Sequence, residues 1–328
     1  MSNTKANLLK HFPAAKISAY IVDDFIKGSK MSFGQVLGSA SGSAHSRTQS
    51  EVESVTYIEN ILADYKKIGG IEKFSGTVAE LGPGDSAGVA MLLRGEGCSQ
   101  IDLIDRYYSD RNLEQQDKIY QLLANKYNLN HLKTTNRWDE KAIAGISWKI
   151  GEAAEDYFAN CAQTGDKSYD YIVSCAVLEH LYNPLDCIIQ MVKCLKPGGQ
   201  MFHFIDFRDH EMFTPVKHEL YYLQIPTSTY VFATQNSGRP NRILTHRYRD
   251  ILESLKQQEL IDYSIIVQNL VDVGAIDDPQ KFSDIDPDKT KQAINFVDQH
   301  RHKFASEFAD VDASDLAISG IFLKVIKK

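Results

Sequence analysis

Glu80-Leu81-Gly82-Pro83-Gly84-Asp85-Ser86 is the stretch whose reading decides the fold. Glycines at such a turn let the backbone approach a ligand closely, and a helix that follows offers N–H groups without intrahelical partners. Thr77–Leu81, leading into it, reads as a strand, and Ala87–Leu93, leaving it, as a helix. Outward from this unit the pattern repeats. Strands are expected at Gln100–Ile104, Ile146–Ile150, Tyr171–Cys175 and Gln200–Ile205, and helices at Leu113–Tyr127 and Pro184–Cys194. Leu195-Lys196-Pro197-Gly198-Gly199 stops the last helix, since proline cannot continue it and glycine permits the reversal. Such alternation specifies an α/β, doubly wound, mostly parallel sheet with helices on both faces. Tyr263–Gln268 and Gly320–Ile326 have the β-branched and aromatic content of a late antiparallel pair, completing a Rossmann-like sheet of seven strands, and Pro287–Phe304 reads as a helix.

Residues 1–70 lack strand-like alternation and read as a helical N-terminal extension, amphipathic at Ile17–Ile26 and Val52–Ile68. Gly38–Ala44, a run of small residues, is either a plain connector or part of a lid, and its composition favours the connector. Residues 71–328 form the main domain, with a substrate-side insertion at about 207–250.

Bulk numbers narrow the function. With 328 residues, 43% of them hydrophobic, the chain has material for one large domain with additions. A net charge of -7 and a pI of about 5.8 provide no field to gather phosphate backbones, so nucleic acid is disfavoured. The local cluster Arg239, Arg242, His246, Arg247 and Arg249 reads equally as a solvated segment. Five cysteines without a CxxC pair argue against a disulfide or zinc scaffold. The start of the chain lacks a secretory apolar run and no stretch approaches a membrane span, so a cytoplasmic protein is expected, with no membrane partner and a homodimer left open as the assembly.

In an open parallel sheet ligands bind beyond the carboxyl ends of the strands. Asp105, after the second strand, is placed to accept hydrogen bonds from vicinal ribose hydroxyls. A dinucleotide fold has a similar layout, but its GxGxxG is replaced here by Gly82, Gly84, Ser86 and Gly88, preceded by the acid Glu80. A carboxylate repels a pyrophosphate and favours a ligand carrying an ammonium and a sulfonium, which selects S-adenosylmethionine over NAD. With these residues the chain resembles class I S-adenosylmethionine-dependent methyltransferases of the small-molecule, type 11-like branch, over some 130 residues in order. Glu80–Ser86 resembles the family's first motif and Asp105 its ribose-binding acid. Gly151-Glu152-Ala153 resembles its Gly-Asp-Ala element beside the adenine, Ser174–Leu181 the fourth-strand motif and Leu195–Gly199 the turn into strand five. The cofactor set this implies is Glu80, Gly82, Gly84, Ser86, Asp105, Arg106, Gly151, Glu152, Ala153 and Ala176. Ser86 stands where many members have glycine and Glu152 where aspartate is usual; backbone donation and the carboxylate acceptor survive both changes.

Ala176-Val177-Leu178-Glu179-His180 lacks the Asn/Asp-Pro-Pro-Tyr/Phe run of enzymes that methylate nucleobases, which points to a small-molecule acceptor. By resemblance the Leu-Glu-His segment belongs to the branch acting on metabolites, lipids, sugars and natural products. His203-Phe204-Ile205-Asp206-Phe207-Arg208-Asp209-His210 runs along and past the fifth strand. Methyl transfer to a hydroxyl requires a proton acceptor, so His210, Asp206 and His180 are the catalytic candidates, with Asp209 beside them. His203, Asp209 and Arg242 are candidates for substrate binding. No metal is expected, because the spacing matches no standard ligand motif. Lys217–Arg249, aromatic and basic, reads as a pocket wall; with Asp206–His210, its Asn241-Arg242 resembles a subgroup tied to glycans and secondary metabolites, making a sugar hydroxyl the leading acceptor. The competing readings are an enzyme of this fold with S-adenosylmethionine and other chemistry, a binding module without catalysis, and an NAD oxidoreductase.

Overall fold

A computed structural model describes residues 13–32, 38–39, 49–109, 111–210, 212–213 and 218–328. Eight strands form its main sheet: β1 (Gly76–Leu81), β2 (Cys98–Asp105), β3 (Ile146–Ile150), β4 (Tyr169–Cys175), β5 (Leu195–Asp206), β6 (Ile261–Leu270), β7 (Gly274–Gln280) and β8 (Ile318–Lys327). They lie in the order β3-β2-β1-β4-β5-β8-β6-β7. β1 to β5 are parallel, while β8 runs antiparallel between β5 and β6. The order reverses at β1, so the connections leaving β1 and β4 diverge there and open a crevice at the carboxyl ends.

Among the described residues the longer helices are α1 (Pro13–Ser32), α2 (Glu51–Gly69), α3 (Gly88–Glu96), α4 (Leu113–Tyr127), α5 (Ala154–Thr164), α6 (Pro184–Cys194), α7 (Thr227–Thr234), α8 (Thr245–Gln257) and α9 (Pro287–Arg301). Their ends follow from the sequence. Ser50 and Glu53 form a reciprocal capping box that starts α2, and Gly70, left-handed at φ 67°, ends it. Asn112 caps α4, which Asn128 closes at φ 56°, and Asn183 with Pro184 begins α6. Alternation along the strands gives each face its own core. Val78, Val173, Phe202 and Phe322 pack under α2, α3 and α4; Leu81, Ile172, Met201 and Ile321 pack under α5, α6, α8 and α9.

The expected seven strands are corrected to eight. The added edge strand β7 reads Gly-Ala-Ile-Asp-Asp-Pro-Gln, a poor strand sequence, and it pairs only with β6. An edge position tolerates proline because one side of the backbone needs no ladder partner. The described part of residues 207–244, between β5 and α8, is tied together by its own tyrosines: Tyr222 Oη donates to the Phe207 carbonyl at 2.6 Å and Tyr230 Oη to that of Pro240 at 2.6 Å. α1 docks on this insertion. Arg239 pairs with Asp23 at 2.7 Å, Asp24 accepts from the Asn236 backbone N–H and amide at 2.9 Å each, and Tyr20 Oη donates to the Met212 carbonyl at 2.8 Å. Gly38–Ser39 pairs in parallel with Tyr108–Ser109, just past β2. The rest of the Gly38–Ala44 run, and Lys217, lie outside the described residues.

Beneath α5, buried Asp102 accepts from Lys167 and from Tyr169 Oη, and Tyr157 Oη donates to it at 3.1 Å. Burial pushes its carboxyl up, yet these bonds hold it below the usual carboxylate range. Its stabilising share is therefore present above the unfolded-state value and is lost as pH falls through the lowered one. Asp102→Ala leaves two phenols and a lysine without their acceptor and is expected to cost about 3 kcal/mol in denaturant unfolding, a loss that shrinks in acid.

Candidate active site

The β1 turn supplies the first wall. Gly82 takes φ 60° and Gly84 φ 66°, the left-handed region that only glycine enters freely. A side-chain carbon on Gly82 would lie 2.4 Å from Val177 Cγ2, so the Val177 side chain of the β4 loop lies against the Gly82 backbone. Ser86 Oγ accepts from the Gly88 N–H at 3.2 Å, and Tyr120 Oη on α4 accepts from that of Ala87 at 2.9 Å. Glu80 is buried on β1, and among the described residues no hydrogen-bond partner reaches its Oε2. Loss of water pushes its carboxyl up to about 8. A buried acid with an unfilled hydrogen-bonding position is a candidate partner for a ligand.

Asp105 ends β2 and accepts from the Tyr107 N–H at 2.9 Å. Burial pushes its carboxyl up to about 6 against the pull of that N–H and of Arg111. The Gly151 N–H donates to the Asp105 carbonyl at 2.9 Å, which sets the β3 turn beside the β2 turn, with Glu152 and Ala153 half-buried next to it. Arg106 stacks on Tyr182, 4.4 Å from the ring centroid, and Ala176 is exposed at φ 55° at the end of β4. A left-handed alanine at a strand end stores about 1 kcal/mol of backbone strain. The ten expected cofactor residues thus meet along the carboxyl ends of β1 to β4. Glu80 and Asp105 fit the ammonium and the ribose of S-adenosylmethionine, and the Gly82–Gly84 turn fits close approach of a ligand.

The second half lies at the ends of β4 and β5. Asn241 pins the Leu178–His180 turn, its Nδ2 donating to the Leu178 and Leu181 carbonyls at 2.8 and 2.9 Å and its backbone N–H to that of Glu179 at 2.7 Å. His180 Nδ1 lies 2.9 Å from the Gly238 carbonyl. A carbonyl only accepts, so Nδ1 carries the proton and Nε2 the lone pair. Burial and the neighbouring His210 push this imidazole down to about 4. The His180 and His210 rings meet edge to face, 5.5 Å between centroids. His210, at φ 55°, brings Nε2 to 3.3 Å from Asp206 Oδ2. Arg208 grips Asp206, Nε at 2.8 Å from Oδ1 and Nη2 at 2.6 Å from Oδ2. Burial alone pushes the Asp206 carboxyl up, but Arg208 and His210 bring it well below the usual carboxylate range. Glu179, buried beside Asp206, is pushed well above that range by loss of water.

His180, Asp206 and His210 therefore come together. His203 does not join them: it is 0% exposed inside the sheet, with Nδ1 2.7 Å from Ser174 Oγ, and burial pushes it down to about 3. Arg242 also turns inward. It donates to the Tyr222 and Ile225 carbonyls at 3.1 and 2.6 Å, to Thr227 Oγ1 at 2.5 Å and to Glu307 at 2.8 Å, so it clamps the insertion. Asp209 is buried, and its backbone N–H donates to the Glu219 carbonyl at 2.9 Å. Arg249 pairs with Asp315, so together with Arg239 and Arg242 three members of the basic cluster hold acidic partners. Among the described residues no group of three or more His, Cys, Asp or Glu side chains is arranged to hold a metal. The sequence reading passed over Asn241 as a positioning residue, Glu179, Arg111 and Tyr120. Glu179 and Asn241 sat inside quoted motifs, whereas Arg111 and Tyr120 act across long sequence separations.

Comparison with curated proteins finds no match. Among solved structures, the chain is similar to the plantazolicin methyltransferase BamL in complex with a triazolic desmethylPZN analog and SAH, at 16% identity and a TM-score of 0.41, with 98% of each chain covered. It is similar to phosphoethanolamine N-methyltransferase 2 of Haemonchus contortus at 13% identity and a TM-score of 0.39, covering 82% of this chain and 51% of that one, so it spans about half of that enzyme's length. A cyclopropane-fatty-acyl-phospholipid synthase-like protein from Lactobacillus casei is 12% identical, with a TM-score of 0.42 and coverage of 89% and 96%. A family model described as a methyltransferase domain matches residues 56–258, more than half of the chain. That match, over the strands and turns that carry the motifs, makes the chain a member of the methyltransferase-domain family.

Proposed function

We propose that this enzyme methylates a hydroxyl of a small polar molecule, a sugar or glycoside above all, with His210 as general base and Asp206 as its orienting partner. The observation that carries the reading is the 3.3 Å approach of His210 Nε2 to Asp206 Oδ2 at the end of β5, beside the end of β4 where the crevice opens. S-adenosylmethionine supplies a methyl made electrophilic by its cationic sulfur. Glu80 holds the ammonium end, the Gly82–Gly84 turn lets the backbone close on the ligand, and Asp105 accepts from the ribose hydroxyls.

The rest of the work falls to the chain. Arg208 keeps Asp206 ionised, and ionised Asp206 accepts Nε2–H of His210, which leaves Nδ1 as the lone pair. Nδ1 would take the proton of the acceptor hydroxyl as the methyl passes from the cofactor's sulfur to that oxygen, S-adenosylhomocysteine being the leaving group, and the resulting imidazolium would be balanced by Asp206. His180, held neutral, accepts a second hydroxyl through Nε2. A floor of imidazoles, a carboxylate and a guanidinium suits a polyhydroxyl acceptor better than an apolar ring. We further read α1 as a cap on the catalytic domain, because α1 is fastened to the insertion, whereas α2 packs on the sheet. Five free cysteines suit a reducing, cytoplasmic setting.

Methyl-labelled S-adenosylmethionine offered with matched glycosides, phenols and amines tests this. Label is expected in a methyl ether of the glycoside, with S-adenosylhomocysteine released in equal amount. Label confined to nitrogen, or to phenols, would overturn the acceptor class.

A further inference from the structure

Arg111 lies between β2 and α4 and belongs to no motif. Its side chain is 1% exposed, a depth at which a guanidinium needs a full set of partners. Nη2 donates to the Gly84 carbonyl at 2.9 Å, Nη1 to Glu140 Oε2 at 2.5 Å and Nε to the Ser109 carbonyl at 3.2 Å. The guanidinium also covers Trp148 at 4.6 Å from the ring centroid, and Trp148 Nε1 donates to the Glu140 carbonyl at 2.9 Å. One cation thereby joins the glycine turn after β1, the loop after β2, the turn at Glu140–Ala142 and strand β3.

We propose that Arg111 is a positioning residue for the cofactor: its fork fixes the Gly84 turn, and its charge keeps Asp105 ionised to receive the ribose. The inference rests on the ribose reading of Asp105 given above. Two independent features support it. The fork geometry ties Gly84 to a rigid buried pair, so the glycine turn is held in its left-handed form before any ligand arrives. Electrostatically, the groups acting on Asp105 are the Arg111 cation, the Tyr107 phenol and the N–H donors of Tyr107 and Gly84. Burial has already moved this carboxyl up to about 6, so loss of the one cation would carry it into the neutral range.

Binding of S-adenosylhomocysteine, followed by calorimetry from about pH 5 to about pH 9, separates the two roles. Wild type is expected to lose affinity as pH falls through about 6, apart from a second limb near 8 belonging to Glu80. Arg111→Met should move the acid limb up by about one pH unit, a shift that by itself weakens binding about threefold near pH 6.5 and nearly tenfold by about pH 5, with the gap narrowing by about pH 8.5. Arg111→Lys keeps the charge without the fork, so its limb should stay in place while affinity falls several-fold at every pH. Should Arg111→Met fail to fold because Glu140 is stranded, Arg111→Met/Glu140→Gln is titrated in its place. Wild-type affinity and limb in the methionine variant, or an equal loss at all pH in both variants, would overturn the inference. A wild type without any limb near 6 would instead sink the Asp105 reading itself.

Discussion

Glu80→Gln is expected to melt at a higher temperature than wild type while binding S-adenosylmethionine on the order of a hundredfold more weakly. Both effects come from one buried carboxyl. In the free protein Glu80 sits near 8, against an ordinary value of 4.5, so the folded chain holds a proton that the unfolded chain releases across that window. A group raised on folding contributes stability that is complete below its unfolded value and drains away as pH climbs to its folded one. Thermal melts should therefore show little difference between glutamine and glutamate at about pH 5 and a clear advantage for glutamine at about pH 8. The cofactor reverses the preference, because its ammonium and sulfonium favour the ionised acid that a glutamine cannot supply. A glutamine variant that melts lower, or that binds as wild type does, would remove Glu80 from the cofactor site. The position is one where stability is given up for binding.

His210→Ala is expected to lower kcat by about 10²–10⁴ with the affinity for S-adenosylhomocysteine unchanged. Asp206→Asn should act in the same direction at about 10², since an amide neither balances an imidazolium nor fixes the tautomer. The division between kcat and binding is the informative part. Among the described residues Asp206 is tied to Arg208 and His210 and to no member of the proposed cofactor set, so its loss is expected to leave the β1 turn in place. If both variants instead lost cofactor affinity, the β5 end would be part of the cofactor wall. If both kept full kcat, transfer would proceed by proximity without a base. His180 offers a control: already neutral through the working range because burial holds it near 4, it should add no acid limb to the rate.

How much of this was legible in the sequence depends on the range of the interactions. α4 and α6 begin and end where read, because Asn112, Asn128, Asn183 and Pro184 are local stop and start signals. The strand ends bearing Glu80, Asp105 and Asp206 were readable for the same reason: a short apolar run between helical stretches has a visible end. β7 was not, since Asp277, Asp278 and Pro279 deny it any strand composition, and only pairing with β6 makes it one. The site divides likewise. Side chains next to a turn declared themselves, while Arg111 reaches Gly84 and Asn241 reaches Leu178 across gaps no spacing rule covers. His203 and Arg242 have the chemistry of a site and the burial of a scaffold, and residue type alone does not separate the two.

If the buried acids Glu80 and Asp105 hold S-adenosylmethionine as proposed, Glu80, near 8 in the free protein, must give up its proton to do so, while Asp105, near 6, is already mostly ionised at neutral pH. Titration of the cofactor into the wild-type chain at about pH 7, in two buffers of different ionisation enthalpy, measures that exchange directly. One-to-one binding with net proton release is the predicted result, and binding without release, or no binding, would contradict it.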